Sequence, residues 1–369
     1  MESETRKTLF SILFGLIVLG AVAGVGLWIS PPPRTNETVT EQPETPPPPT
    51  TPPTEQGETV ALENTLELEG LSNVVAISPL GNILASASDA RKIKLWNLDT
   101  GTELRSFSFE DREDISRVTS IAISKDERTL AIGWLGNDAI DVWYLELDGT
   151  EPSQTLPGQN YNATSIAFDP EGNVLVRGNS NGTIQVWNLI QGTSRNAQFS
   201  EGEVSHRVTS LAISPDGQTF ASGSNDGKIK IWNLETGEAL HSNLKEDSGS
   251  VTSLTISPKG QTPLVSSSDK TITIWNLNSG EPKKRLTGHS SEIGSVATSE
   301  NGQLLASGDN DGIVKIWDLN TEELLETYKL LDYSGESINL AISSNGQTIV
   351  VGRDLITIKI WRIPELDNK

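Results

Sequence analysis

VTSLAISPDGQTFASGSNDGKIKIWNLETG, residues 208–237, decides the fold. Val208 to Ile213 has the β-branched content of a short strand. Ser214-Pro215-Asp216-Gly217-Gln218 follows with turn chemistry, since Pro presets φ and Asp and Gly accept turn geometry. Thr219 to Ser224 reads as a second strand, Asn225-Asp226-Gly227 as a tight turn, and Lys228 to Leu234 as a third strand. Glu235-Thr236-Gly237 turns again into a weaker outer strand. In the third strand Ile229 and Ile231 point to one face and Trp232 and Leu234 to the other. Both faces are apolar, so both need cover, which a sheet packed between two neighbours receives.

The unit recurs. Strands ending in Trp stand at KIKLW (Trp96), AIDVW (Trp143), TIQVW (Trp187), KIKIW (Trp232), TITIW (Trp275), IVKIW (Trp317) and TIKIW (Trp361), at intervals of 47, 44, 45, 43, 42 and 44 residues. That period, with Trp in a fixed slot, predicts an all-β, seven-bladed β-propeller of four-stranded blades over residues 59–369. One blade cannot bury its own faces, so the ring must close. The last unit stops at Trp361-Arg362-Ile363-Pro364 without an outer strand, and an orphan strand precedes the first unit. Residues of about 62–69 are therefore expected to supply the missing strand.

These units resemble WD repeats over about residues 60–363, with Trp317-Asp318 as the literal Trp-Asp pair. The resemblance implies a structural role for the seven Trp residues. It also implies a hydrogen-bonded set of His, Ser or Thr, Trp and a turn Asp in each blade. The sixth unit matches with His289, Ser307, Asp311 and Trp317. The fourth offers Ser222, Asp226 and Trp232, with His206 as a positional candidate; the fifth offers Asp269 and Trp275. The third has Asn181 where Asp is expected.

Before the repeats, Leu9 to Ile29 is free of charge for 21 residues, long enough as a helix to span a ~30 Å hydrocarbon core. Arg6 and Lys7 precede it, so the positive-inside tendency puts the remainder outside the cytoplasmic membrane. The expectation is a single-pass, membrane-anchored protein of bacterial type. A cleaved signal peptide ending near Ala21-Val22-Ala23 is the competing reading and gives a secreted chain. Gly20 and Gly24 could form a close-packing face for a homodimer through this helix. Residues 30–58, rich in Pro, Thr and Glu, read as a disordered stalk.

Cysteine is absent, and His occurs only at 206, 241 and 289, which excludes thiolate chemistry and leaves little for a histidine metal site. The formal charge of −21 disfavours nucleic acid as a partner. No phosphate loop, zinc-protease motif or nucleophile elbow is present. Asp309-Asn310-Asp311-Gly312 lacks the spaced ligands of a calcium loop and sits in a repeat turn. No cofactor, metal or enzymatic activity is expected.

What departs from the repeat points to binding. The resemblance to WD-repeat propellers implies that loops before the first strand of each blade and loops between the second and third strands share one face. There Arg117, Trp134, Tyr161, Arg207, Tyr333 and Arg353 are candidate contacts, since Trp, Tyr and Arg most often anchor interfaces; for Trp134, packing inside blade two is the alternative reading. The resemblance then implies an anchored scaffold that binds proteins through this face. A small-ligand sensor or enzyme using the central channel, and a structural role in the cell envelope, are the alternatives.

Overall fold

The computed structural model describes residues 61–67, 72–88, 91–158, 161–197, 206–245, 249–257, 263–267, 270–330, 338–343, 345–352 and 357–363. These fall within the unit Gly57–Lys369. Their strands pair into seven four-stranded antiparallel sheets. In chain order the blades run over residues 72–108, 117–156, 163–196, 208–245, 251–286, 293–329 and 339–362, and are numbered one to seven below. Strand order follows sequence order in blades one to six. In blade seven the outer strand is Ala61–Glu67, paired antiparallel with Thr357–Arg362. Each blade's first strand lies against that of the next, and blade seven's first strand lies against blade one's, so the ring is closed with the first strands innermost.

The repeated turns explain the regularity. In blade four Gly217 N–H donates to Ser214 O, and Ser214 N–H donates to Thr219 O. The Ser214 hydroxyl also accepts from Thr219 N–H at 3.0 Å. The equivalent Ser124, Ser299 and Ser343 accept from Thr129, Leu304 and Thr348 N–H. Each hydroxyl occupies a backbone donor that the strand ladder leaves open.

The core lies between blades. Trp143 packs with Phe107 and Phe109 of blade one, and Trp232 with Val186 and Val176 of blade three, so each Trp faces the preceding blade. Small residues let neighbours approach. A Cβ on Gly223 would stand 2.3 Å from Val251 Cγ1 of blade five, and one on Gly178 would stand 2.4 Å from Val208 Cγ1 of blade four. Nearer the axis, serine hydroxyls join adjacent first strands. Ser120 accepts from Ile166 N–H, Ser165 from Leu211, Ser210 from Leu254 and Ser253 from Val296, at 3.0–3.2 Å.

The expected membrane anchor needs correction. Residues 9–29, with the stalk of 30–58, lie outside the described residues, and the structure offers them no support. Among the described residues every regular element is a strand, and no helix is long and apolar enough to cross a membrane. Most of the apolar side chains described here are buried between sheets, with Leu104, Leu147 and Ile190 among the exposed ones. The membrane-anchored bacterial-type assignment, the single-pass topology and the homodimer through a membrane helix are therefore set aside.

Candidate partner-binding face

Arg117 opens the first strand of blade two, Arg117–Ile123; Tyr161 and Arg207 stand just before Ala163–Phe168 and Val208–Ile213, the first strands of blades three and four. Arg117 and Arg207 occupy equivalent positions by strand register and Tyr161 stands one residue earlier, so all three lie at the same end of the ring. All three are exposed, Tyr161 to 44%. Their segments are pinned to the ends of the second strands or the turns after them: Ser116 N–H donates to Leu135 O, Ser180 N–H to Asn162 O, and Asn225 N–H to Arg207 O. The face is thus presented on anchored loops. Tyr333 and Arg353, and the structural candidate Asp269, lie outside the described residues.

Trp134 does not belong to this face. Of its two readings, exposure on this face and packing inside blade two, the second holds: its exposure is 0%. It packs edge-on against Phe109, with ring centroids 4.9 Å apart, and donates its indole N–H to Asp141 Oδ2 at 2.9 Å. Asp141 is itself buried and accepts from Arg112 Nη1 at 2.6 Å and from the Thr155 hydroxyl at 2.8 Å. Arg112 lies over the Trp134 ring and also bonds Asp114 at 2.8 Å. That hydrogen bond, against the opposing effect of desolvation and with Asn137 assisting, holds the Asp114 carboxyl down at about 2. What reaches the surface is the Arg112–Asp114 pair.

The structural network is clearest in blade six. Trp317 Nε1 donates to Ser307 Oγ at 2.8 Å, Ser307 Oγ meets His289 Nε2 at 2.7 Å, and His289 Nδ1 meets Asp309 Oδ2 at 2.8 Å. The tautomer with its proton on Nδ1 satisfies every member: indole to hydroxyl, hydroxyl to imidazole, imidazole to carboxylate. The carboxylate is Asp309, which corrects the expected Asp311. Asp311 instead stands 3.5 Å from the Ser290 hydroxyl. Burial favours the neutral Asp309, but the His289 hydrogen bond, the Ile313 and Asp311 N–H groups and the nearby imidazole outweigh it and lower its pKa.

Other blades keep parts of this set. Trp96 and Trp232 donate to Ser86 and Ser222 at 2.9 Å. His206 Nε2 lies 3.5 Å from Asp226 Oδ2, so in blade four the imidazole meets the turn carboxylate rather than the serine. The serine slot holds Ile132 in blade two, Arg177 in blade three and Val351 in blade seven, by register with the Trp-ended strands. The indole N–H groups of Trp187 and Trp361 accordingly lack partners. Trp275 N–H lacks one as well.

Arg177 was not singled out from the sequence, although aligning the repeats exposes it. It is fully buried, donates to Asn179 Oδ1 at 2.7 Å and to Tyr161 O at 2.5 Å, and so ties the exposed Tyr161 loop to the blade interior. Desolvation, only partly offset by Asp138, brings its pKa down to about 10. Among the described residues no group of His, Asp or Glu is placed to hold a metal ion.

A family described as WD domain, G-beta repeat matches residues 66–97 and 150–188, and a β-propeller family described as WDR41 matches residues 198–368, somewhat under half of the chain. An uncharacterised WD repeat-containing protein of Synechocystis is 29% identical over 40% of this chain and 42% of its own length. The target of rapamycin complex subunit wat1 of Schizosaccharomyces pombe is 28% identical over 29% of this chain and 32% of its own. The small ribosomal subunit protein RACK1 of Drosophila melanogaster is 29% identical over 32% and 38%. The chain spans about a third of the length of most curated relatives it matches. These matches, each over less than half of the chain, are to WD repeats and a WD-type β-propeller, a fold that serves as a non-catalytic interaction scaffold.

Proposed function

We propose that the propeller is a protein-interaction scaffold that engages partners through the end of the ring carrying Arg117, Tyr161 and Arg207. The carrying observation is that these three exposed side chains stand at, or within two residues before, the starts of the first strands of three consecutive blades. Tyr and Arg combine a large contact area with donors that pair across an interface, and pinned loops reduce the ordering cost of binding. Two similar proteins are named as subunits of larger assemblies, one of a target of rapamycin complex and one of a ribosomal subunit. That supports a scaffold and leaves this chain's partner to experiment.

The test is affinity capture of partners by the full-length chain and by an Arg117→Ala, Tyr161→Ala, Arg207→Ala triple variant. The expected result is a set of proteins retained by the first and lost by the second at an unchanged melting temperature. An identical set on both would exclude this end of the ring.

A further inference from the structure

The turn after each first strand has a repeated second position. It is Pro79, Pro170, Pro215 and Pro258 in blades one, three, four and five. Blades two and six depart from proline with long side chains of opposite charge, Lys125 and Glu300. Lys125 Nζ lies 2.6 Å from Glu300 Oε1, although 175 residues separate them. Blades two and six are not neighbours. Blades seven and one separate them on one side of the ring, and blades three, four and five on the other.

First strands are innermost, so the turns that follow them surround one mouth of the axial channel. An ion pair between non-adjacent blades at this level runs as a chord across that mouth. The two side chains are 43% and 34% exposed, as expected over an opening rather than inside a sheet. Their roots are fixed: Ser124 and Ser299, each one residue earlier, bond the backbone of Thr129 and Leu304 in both directions. The nearby carboxylate of Glu127 does not compete for Lys125. It turns to blade one, where it accepts from the Ser78 hydroxyl at 2.5 Å and from Asn82 Nδ2 at 3.0 Å.

We infer that Lys125 and Glu300 form a bar across the channel mouth at the turn end, so that the channel is entered only from the opposite end. An exposed pair adds little to stability and is weakened by salt. Its consequence is steric: a peptide or small molecule on the axis approaches from the end that carries Tyr161, and passage through the ring is blocked. The inference stands on this geometry and does not depend on the partner-binding proposal.

A water-soluble carbodiimide applied to the dilute full-length protein tests it. The reagent activates the Glu300 carboxyl as an O-acylisourea. The Lys125 amine displaces the urea, which carries away the carboxyl oxygen, and an amide bond forms between the two side chains. Mass spectrometry of the digested monomer should find the Lys125–Glu300 linked peptides. The adjacent-blade pair Lys283–Glu322, at 2.5 Å, serves as an internal control. Lys125→Glu alone should lose the link, and Lys125→Glu with Glu300→Lys should regain it. A control link without the Lys125–Glu300 link, or no recovery in the charge-swapped variant while the control link persists, would overturn the bar.

Discussion

Trp134 and Asp141 share a 2.9 Å hydrogen bond in blade two, and neither side chain reaches solvent. Gly133 lies opposite Ile140 and Ile132 opposite Asp141, so Trp134 stands at the end of the second strand in the slot that Asp309 fills in blade six. Blade two thus inverts the arrangement: the indole comes from the second strand and the carboxylate from the third. Removing the carboxylate leaves the Trp134 N–H, the Thr155 hydroxyl and one end of Arg112 without their acceptor. Asp141→Ala should cost about 2–4 kcal/mol, because buried donors are stranded, although Arg112 retains Asp114 and partial solvent contact. Asp141→Asn keeps an acceptor and should cost less. Urea titration of the two variants decides; equal midpoints for wild type and Asp141→Ala would show that the network contributes nothing to stability.

In blade six Trp317 and Ser307 separate packing from hydrogen bonding. Trp317→Ala removes a buried indole between blades five and six and should cost about 3–5 kcal/mol. Ser307→Ala removes only the hydroxyl that joins Trp317 to His289, and should cost about 1–3 kcal/mol. Thermal unfolding followed by intrinsic tryptophan fluorescence should rank the two in that order. The reverse order would place the main contribution in the hydrogen bonds.

The repeat was legible because its signals are local. Strand alternation, Ser-Pro-Asp-Gly turns and the Trp interval each follow from a few adjacent residues, and the pairing of Ala61–Glu67 with Thr357–Arg362 follows from one strand missing and one left over. The burial of Trp134 was legible only as one of two readings. Its cover comes from Phe109 and Arg112, in a loop outside the repeat, and only the folded chain brings them over the ring. Asp309 and Asp311 differ in the sequence by two positions of one turn. The backbone alone determines that Asp309 turns inward to His289 while its Oδ1 accepts from Asp311 N–H. The Lys125–Glu300 contact spans non-adjacent blades, which a reading of each repeat by itself misses.

Asp309 should make blade six sensitive to acid. Its pKa is lower in the folded protein than in the unfolded chain, so folding favours the ionised form. The sign follows: its contribution is fully present above the unfolded carboxylate pKa of about 3.9 and is lost as pH falls through the lower folded value. An Asp309→Asn variant lacks this titration. It should be less stable than wild type at neutral pH, and the gap should narrow below about pH 4. Melting temperatures of both proteins across that range test it. A gap independent of pH would mean that the carboxylate titrates alike in both states.

Ring closure by Ala61–Glu67 gives the last expectation. This strand covers the edge of Thr357–Arg362, and Leu66, buried opposite Ile358, joins a cluster with Trp96 of blade one and Ile360 of blade seven. A chain beginning at residue 72 loses the ladder and the Leu66 contact together, leaving an unpaired strand edge. Relative to a chain beginning at residue 58, its melting temperature should fall by roughly 5–10 °C, as a loss of several kcal/mol does in a domain of this size. Leu66→Ala in the longer chain should cost about 2–4 kcal/mol, because only the buried side chain is lost. If the two chains melt together while Leu66→Ala is silent, the first strand does not close the ring. If only the shortened chain is weakened, closure rests on the backbone ladder rather than on the Leu66 contact.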